Sequence, residues 1–148
     1  MALNSVQFLE AGHEGLPRRL DEIEQVWRLK CAFTLRERLH KLKGLLSYLH
    51  TARLKEATCA LHRQADNVIK AGAQLERDCE EQALTPEEIR RRSVALSKEQ
   101  EVGLAKAHAD FLVESTRAME AIGRATRKWH AAQARAAPVL RPVGLTQQ

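Results

Sequence analysis

Aromatic side chains are scarce in this chain of 148 residues: Phe8, Trp27, Phe33, Tyr48, Phe111 and Trp129 are all it has. A compact domain of this length ordinarily buries a larger set, so a thick aromatic core is excluded. Runs of β-branched residues alternating with polar ones are also missing, which leaves no strand candidates. No stretch approaches the roughly 18 consecutive apolar residues that a membrane span requires. The N-terminal stretch from Met1 to Glu10 lacks the basic region and long apolar core of a signal peptide. Cys31, Cys59 and Cys79 are an odd number without short paired spacings, and they fit a reducing cytoplasm better than a disulfide framework. The seven glycines are scattered, so there is no phosphate-cradling loop and neither the Walker nor the dinucleotide fingerprint. No serine or cysteine has a nearby base in a turn that would expose it. The expectation is a cytoplasmic protein without catalytic, cofactor or metal residues, not an enzyme.

What the chain does have is Leu and Ala, with Lys, Arg, Glu and Gln filling most of the remainder. All are good helix formers, and helix is the only regular structure they support. Proline and glycine mark the boundaries. Gly12, Gly15 and Pro17 close a short segment over residues 1–15, and Pro17 suits the first turn of a helix, where its missing N–H costs nothing. The clearest local signal is Leu84-Thr85-Pro86-Glu87-Glu88-Ile89. Thr85 serves as N-cap, Pro86 takes the first helical position, and Glu88 completes a capping box with Thr85. The reading is a helix over 17–83, a loop over 84–86, a helix over 86–136 ended by Pro138 and Pro142, and a flexible tail over 137–148.

Apolar spacing supports two long helices in one domain, 16–136. Leu35, Leu39, Leu42, Leu46 and Leu49 alternate by four and three, as a coiled-coil seam does. The stripe resumes at Leu61, Ala65, Val68, Gly72, Leu75 and Cys79, with Ala57 bridging what reads as a stutter. In the second helix Leu104, Ala107, Phe111, Ser115, Ala118, Ile122, Ala125 and Trp129 share a face. Gly44, Gly72, Gly103 and Gly123 lie inside these helices, and a break of the first helix near Gly44 or Gly72 would give a three- or four-helix bundle instead. The short connection makes the helices antiparallel, an all-α helical hairpin or two-helix coiled coil. Residues whose numbers sum to about 170 then lie level. Ile122 falls opposite Tyr48 and Leu49, Ala118 opposite Ala52, Phe111 opposite Cys59 and Leu61, and Trp129 opposite Leu42.

Charge is unevenly placed along that rod. Residues 28–63 carry nine Lys and Arg against two acids, and residues 117–148 carry six against one. Both stretches fall at the open end, whereas the loop end is mildly acidic. Local i,i+4 pairs such as Glu24 with Arg28, Glu37 with Lys41, Glu87 with Arg91 and Glu120 with Arg124 account for part of the charge. The excess would attract an acidic protein surface or, as a second class of partner, a nucleic acid. The partner-binding candidates are Arg124, Arg127 and Lys128 in the basic end, Trp27 and Trp129 as aromatic anchors there, and Arg90, Arg91 and Arg92 as a docking patch. Cys59, His62 and His108 meet in this register and have the ligand types for zinc; a small core cysteine with two half-exposed histidines explains them as well, and no metal is expected.

From Leu84-Thr85-Pro86-Glu87-Glu88-Ile89, through Ala95-Leu96, Glu99, Glu101, Ala107 and Ala109, to the Arg124–Lys128 region, the second helix resembles the return helix of the FliJ/YscO-like central-stalk proteins of flagellar and type III secretion export ATPases. The likeness covers about 45 residues and names no individual contact residue. The first fifteen residues depart from that family's habit of starting the first helix almost at once. The resemblance implies a non-catalytic stalk or accessory protein in an export ATPase ring, engaging it with the open, basic end. A coiled-coil adaptor or regulator and a nucleic-acid-associated basic helical protein are the alternatives.

Overall fold

The computed structural model describes residues 14–47, Leu49 and residues 51–140, with side chains through Ala136. Among the described residues the chain is all-helical, in four segments: α1 (Leu16–Leu29), α2 (Ala32–Leu46), α3 (Ala52–Glu81) and α4 (Pro86–Leu140). The expected continuous helix over 17–83 is therefore three helices. Its first break is at Lys30, whose backbone is left-handed (φ 54°, ψ 36°) and whose N–H bonds to the Trp27 carbonyl at 3.1 Å. The second lies between Ser47 and Thr51, near Gly44 and at the start of the expected stutter, and Gly72 sits unbroken inside α3.

The reason is burial. A single long helix would leave Leu16, Ile23 and Val26 beyond the end of the return helix, with no opposing face. Folding back places all of them in one core with Leu49, Leu54, Leu61, Ala65, Ala107, Phe111, Ala118 and Ile122. Each large aliphatic side chain withdrawn from water contributes about 1.5–3 kcal/mol, more than a few broken helical bonds cost. The heptad spacing of Leu35, Leu39, Leu42 and Leu46 is thus a core stripe, and all four are buried.

Cross-helix contacts fix directions. Arg38 reaches Glu22 at 3.7 Å and Arg36 reaches Asp66 at 3.0 Å. His40 lies beside His62, with ring centroids 6.4 Å apart. These pairs run α2 back along α1 and α3 back along α2. Asp78 and Arg92, 3.6 Å apart, sit on either side of the α3–α4 connection, and Gly103 faces Gln64. Packing runs α1 on α2, α2 on α3, α3 on α4, with α1 touching α4 more lightly. No such packing joins α2 to α4, so the expected level pairing of Leu42 with Trp129 does not form. Nor do Ala52 and Ala125 enter the core: both are exposed.

Capping explains the ends. The Thr85 hydroxyl accepts the Glu88 N–H at 3.3 Å and its carbonyl accepts Ile89 N–H at 3.0 Å, so the predicted cap is in place. Just before it, Ala83 takes a left-handed φ of 48° to stop α3. Pro17 lies in the first turn of α1 as expected. Pro138 does not end α4, which runs to Leu140; a proline near a helix end forfeits one backbone bond while its fixed φ still suits the helix. Residues 1–13 of the expected N-terminal segment, Tyr48, and residues 141–148 of the expected tail, with Pro142, lie outside the described residues.

Three levels result along α4. Residues 107–122 provide its buried positions, against α1 and the first half of α3. Toward the loop, 66–81 of α3 and 86–106 of α4 contain no fully buried residue. Beyond Ile122, α4 continues for 18 residues to Leu140, about 27 Å at 1.5 Å per residue.

Candidate interaction surfaces

The candidates assemble into three separate places. The first is the junction of α1, α2 and α4. Trp27 stacks on His108, ring centroids 3.8 Å apart and planes 10° from parallel, and His108 Nε2 lies 2.7 Å from Glu24 Oε1. The stack pins α1 to α4: the His108 side chain is only 12% exposed. Trp27 therefore serves mainly as a packing anchor. It was expected at the open end of the rod, as was Trp129, but it sits against His108, 21 positions before Trp129 in α4. The fold-back at Lys30 moved it.

Above that stack a cleft of about 670 Å³ opens, lined by Val26, Trp27, Cys31, Leu35, Val68 and Leu104 among others. Leu29 and Phe33 bracket the turn beside it and are 76% and 62% exposed. Cys31 is the N-cap of α2, with extended backbone and no side-chain capping bond. Its Sγ lies 3.3 Å from Thr34 Oγ1. That hydroxyl, together with backbone N–H groups of the opening turn, stabilises the thiolate and holds the Cys31 thiol below its ordinary range.

The second place is the tip. Arg90, Arg91 and Arg92 are all exposed on the first turns of α4. Arg92 is tied to Asp78, so the triple is not a uniform patch: one member staples the tip and two face water.

The third is the outgoing arm of α4. Arg124, Arg127 and Lys128 are exposed, and Trp129 is half-buried with its edge toward His130 at 5.1 Å. No Asp or Glu follows Glu120 in the chain, and among the described residues none of these cations forms an ion pair. The other basic stretch does not join them at one end. Lys30 lines the cleft, Arg36 pairs with Asp66, which Lys70 shares, and Arg38 with Glu22, which Arg19 shares. Of the expected i,i+4 pairs, Glu37 with Lys41 forms at 3.7 Å, whereas Glu24 turns to His108.

Two further groups respond to their neighbours. Lys70 and then Arg36 hold the Asp66 carboxyl below the usual carboxylate range. Partial burial, seconded by Lys43, lowers His62. Cys59, His62 and His108 do not meet: His62 faces His40 while His108 is held by Glu24 and Trp27. Among the described residues no three His, Cys, Asp or Glu gather as a metal-ligand group, and no helix is long and apolar enough to cross a membrane.

Sequence reasoning missed the cleft and the Glu24–His108–Trp27 cluster. Only the position of the break at Lys30 creates them, and no glycine or proline announces that break. No family model matches this chain, and no curated protein or solved structure matches it either.

Proposed function

We propose that this chain is a non-catalytic, cytoplasmic interaction protein that offers the basic arm of α4 to an acidic protein surface, as a stalk or accessory component of a type III or flagellar-type export ATPase. In this reading α3 and α4 form the helical hairpin of a short coiled coil, and α1 and α2 brace its base. The observation that carries the proposal is the arm itself. Arg124, Arg127 and Lys128 are exposed and unpaired among the described residues, on a helix continuing 18 residues past the last core position. Unbalanced exposed charge past the last buried position adds little to folding, and a complementary partner surface would use it. The likeness of the return helix, from Thr85-Pro86 to the Arg124–Lys128 region, supports the choice of an export ATPase.

The test is an affinity pull-down from the native cell with nuclease present, comparing the natural chain with Arg124→Glu/Arg127→Glu/Lys128→Glu. Recovery of an export ATPase or gate protein with the natural chain, and its loss with the triple variant, is the expected result. The same run of cations without an acid favours one alternative, phosphate binding by the arm. Recovery of partners only when nuclease is omitted would replace the ATPase reading with that one.

A further inference from the structure

Four of the six large apolar residues exposed among the described residues lie on α4: Val94, Val102, Leu112 and Val113. They are not scattered around it. The core face of α4 is Ala107, Phe111, Ser115, Ala118 and Ile122. Val102, Ala105, Ala109, Leu112 and Thr116 follow one another by three, four, three and four residues, and all are exposed. At about 100° per residue they lie roughly 100–180° around the helix from Phe111. This is a second heptad seam on the side turned away from the core. Val102 and Ala105 also line the cleft beside the α1–α2 turn, so exposed Leu29 and Phe33 adjoin its upper end.

The charges beside the seam select its occupant. Glu101 precedes Val102 and Lys106 follows Ala105, in the two positions that flank a heptad seam. They are five residues apart, the offset at which flanking residues of two parallel strands meet. Both are exposed, and among the described residues neither forms an ion pair within the chain. Two copies laid in parallel along this seam would place Glu101 of each against Lys106 of the other, on both sides of the interface. An antiparallel pair brings each flanking position against its own kind, so Glu101 and Lys106 would not meet. Ala105 and Ala109 lack bulk and allow the two helices to approach closely, with Val102 and Leu112 as the interlocking side chains.

We infer that the outer face of α4 is a self-association surface, and that two copies of this chain pair in parallel through Val102, Ala105, Ala109 and Leu112 with reciprocal Glu101–Lys106 ion pairs. The inference is independent of the partner proposed for the arm.

The test is sedimentation equilibrium of the full chain from micromolar to millimolar concentration. The natural chain should move reversibly from 16.7 kDa to twice that mass. Val102→Glu and Leu112→Glu should each weaken the dimer by at least about tenfold with unchanged circular dichroism, because both side chains are already in water. Glu101→Lys and Lys106→Glu singly should weaken it, and the double exchange should restore it. A chain that stays monomeric at millimolar concentration would overturn the inference, as would a dimer indifferent to both seam variants. A double exchange that fails to restore the dimer would overturn the parallel arrangement. Should a seam variant lose helicity, the exposed charge pair alone still decides the outcome.

Discussion

Lys30 and Ala83 are the two non-glycine residues with positive φ among the described residues, at 54° and 48°, and each stands where a helix stops. A left-handed backbone costs an L-residue roughly 1–2 kcal/mol, and glycine is the usual occupant at such helix ends. Lys30→Gly and Ala83→Gly are therefore each expected to raise stability by about 0.5–1 kcal/mol, measured as a higher denaturant midpoint with unchanged slope. A lower midpoint would mean that the Lys30 or Ala83 side chain makes a contact worth more than the strain. Cys31 carries a second expectation at this scale. Its exposed thiol is held below its ordinary range by Thr34, so it should be alkylated by iodoacetamide before half-buried Cys59 and Cys79. Thr34→Val should slow that reaction by returning the thiol toward its ordinary range. Equal rates at the three cysteines, followed by peptide mass spectrometry, would contradict it.

The elements were unequally legible in the sequence. α4 was readable almost whole, because Thr85, Pro86 and Glu88 are local signals that act through the backbone itself. The leucines of α2 were readable as one face, since a buried stripe has the same spacing whatever covers it. The breaks at Lys30 and between Ser47 and Thr51 were not readable, as they arise from tertiary burial. Glycine was a partial signal: a break does fall near Gly44, after Leu46, but Gly44 and Gly72 are themselves helical, and a Cβ at either would meet nothing within 4 Å. Gly44→Ala and Gly72→Ala should consequently each add about 0.5–1 kcal/mol, visible as a rise in melting temperature; a fall would mark these positions as needed hinges. Arg36 and Asp66 join α2 to α3 and give the packing a pH dependence. The folded-state pKa of Asp66 is lowered, so its contribution is present above the unfolded value of about 3.9 and is lost as pH falls through the folded one. Asp66→Asn should be less stable than the natural chain at pH 7 and converge with it in strong acid. Melting-temperature differences that persist unchanged at low pH would show that Asp66 acts by packing and not by charge.

At the scale of the molecule, the charge map changed more than the helix content did. Read along a single rod, the two basic stretches fall at one end. Once α1 and α2 fold back, Glu22 and Asp66 take up Arg38 and Arg36 of the first stretch, and the arm of α4, with no acid after Glu120, is an unbalanced region of its own. In the proposed function, fold and partner binding fall to different parts of one helix: residues 107–122 hold its buried positions, and Arg124, Arg127 and Lys128 lie past them. Reversing those three charges removes no buried contact and leaves the core undisturbed, since all three side chains are exposed. The expected outcome for Arg124→Glu/Arg127→Glu/Lys128→Glu is a change of no more than about 0.5 kcal/mol in stability, the range of surface substitutions away from special features, with circular dichroism unchanged. Affinity for an acidic partner should fall by an order of magnitude or more, and the residual binding should no longer be weakened by added salt, since rim charges act chiefly through long-range electrostatics. Calorimetric melting and a salt series on the purified pair separate the two effects. A variant that melts several degrees lower would return these residues to the fold, and the basic arm would then be a structural face that owes its charge to folding alone.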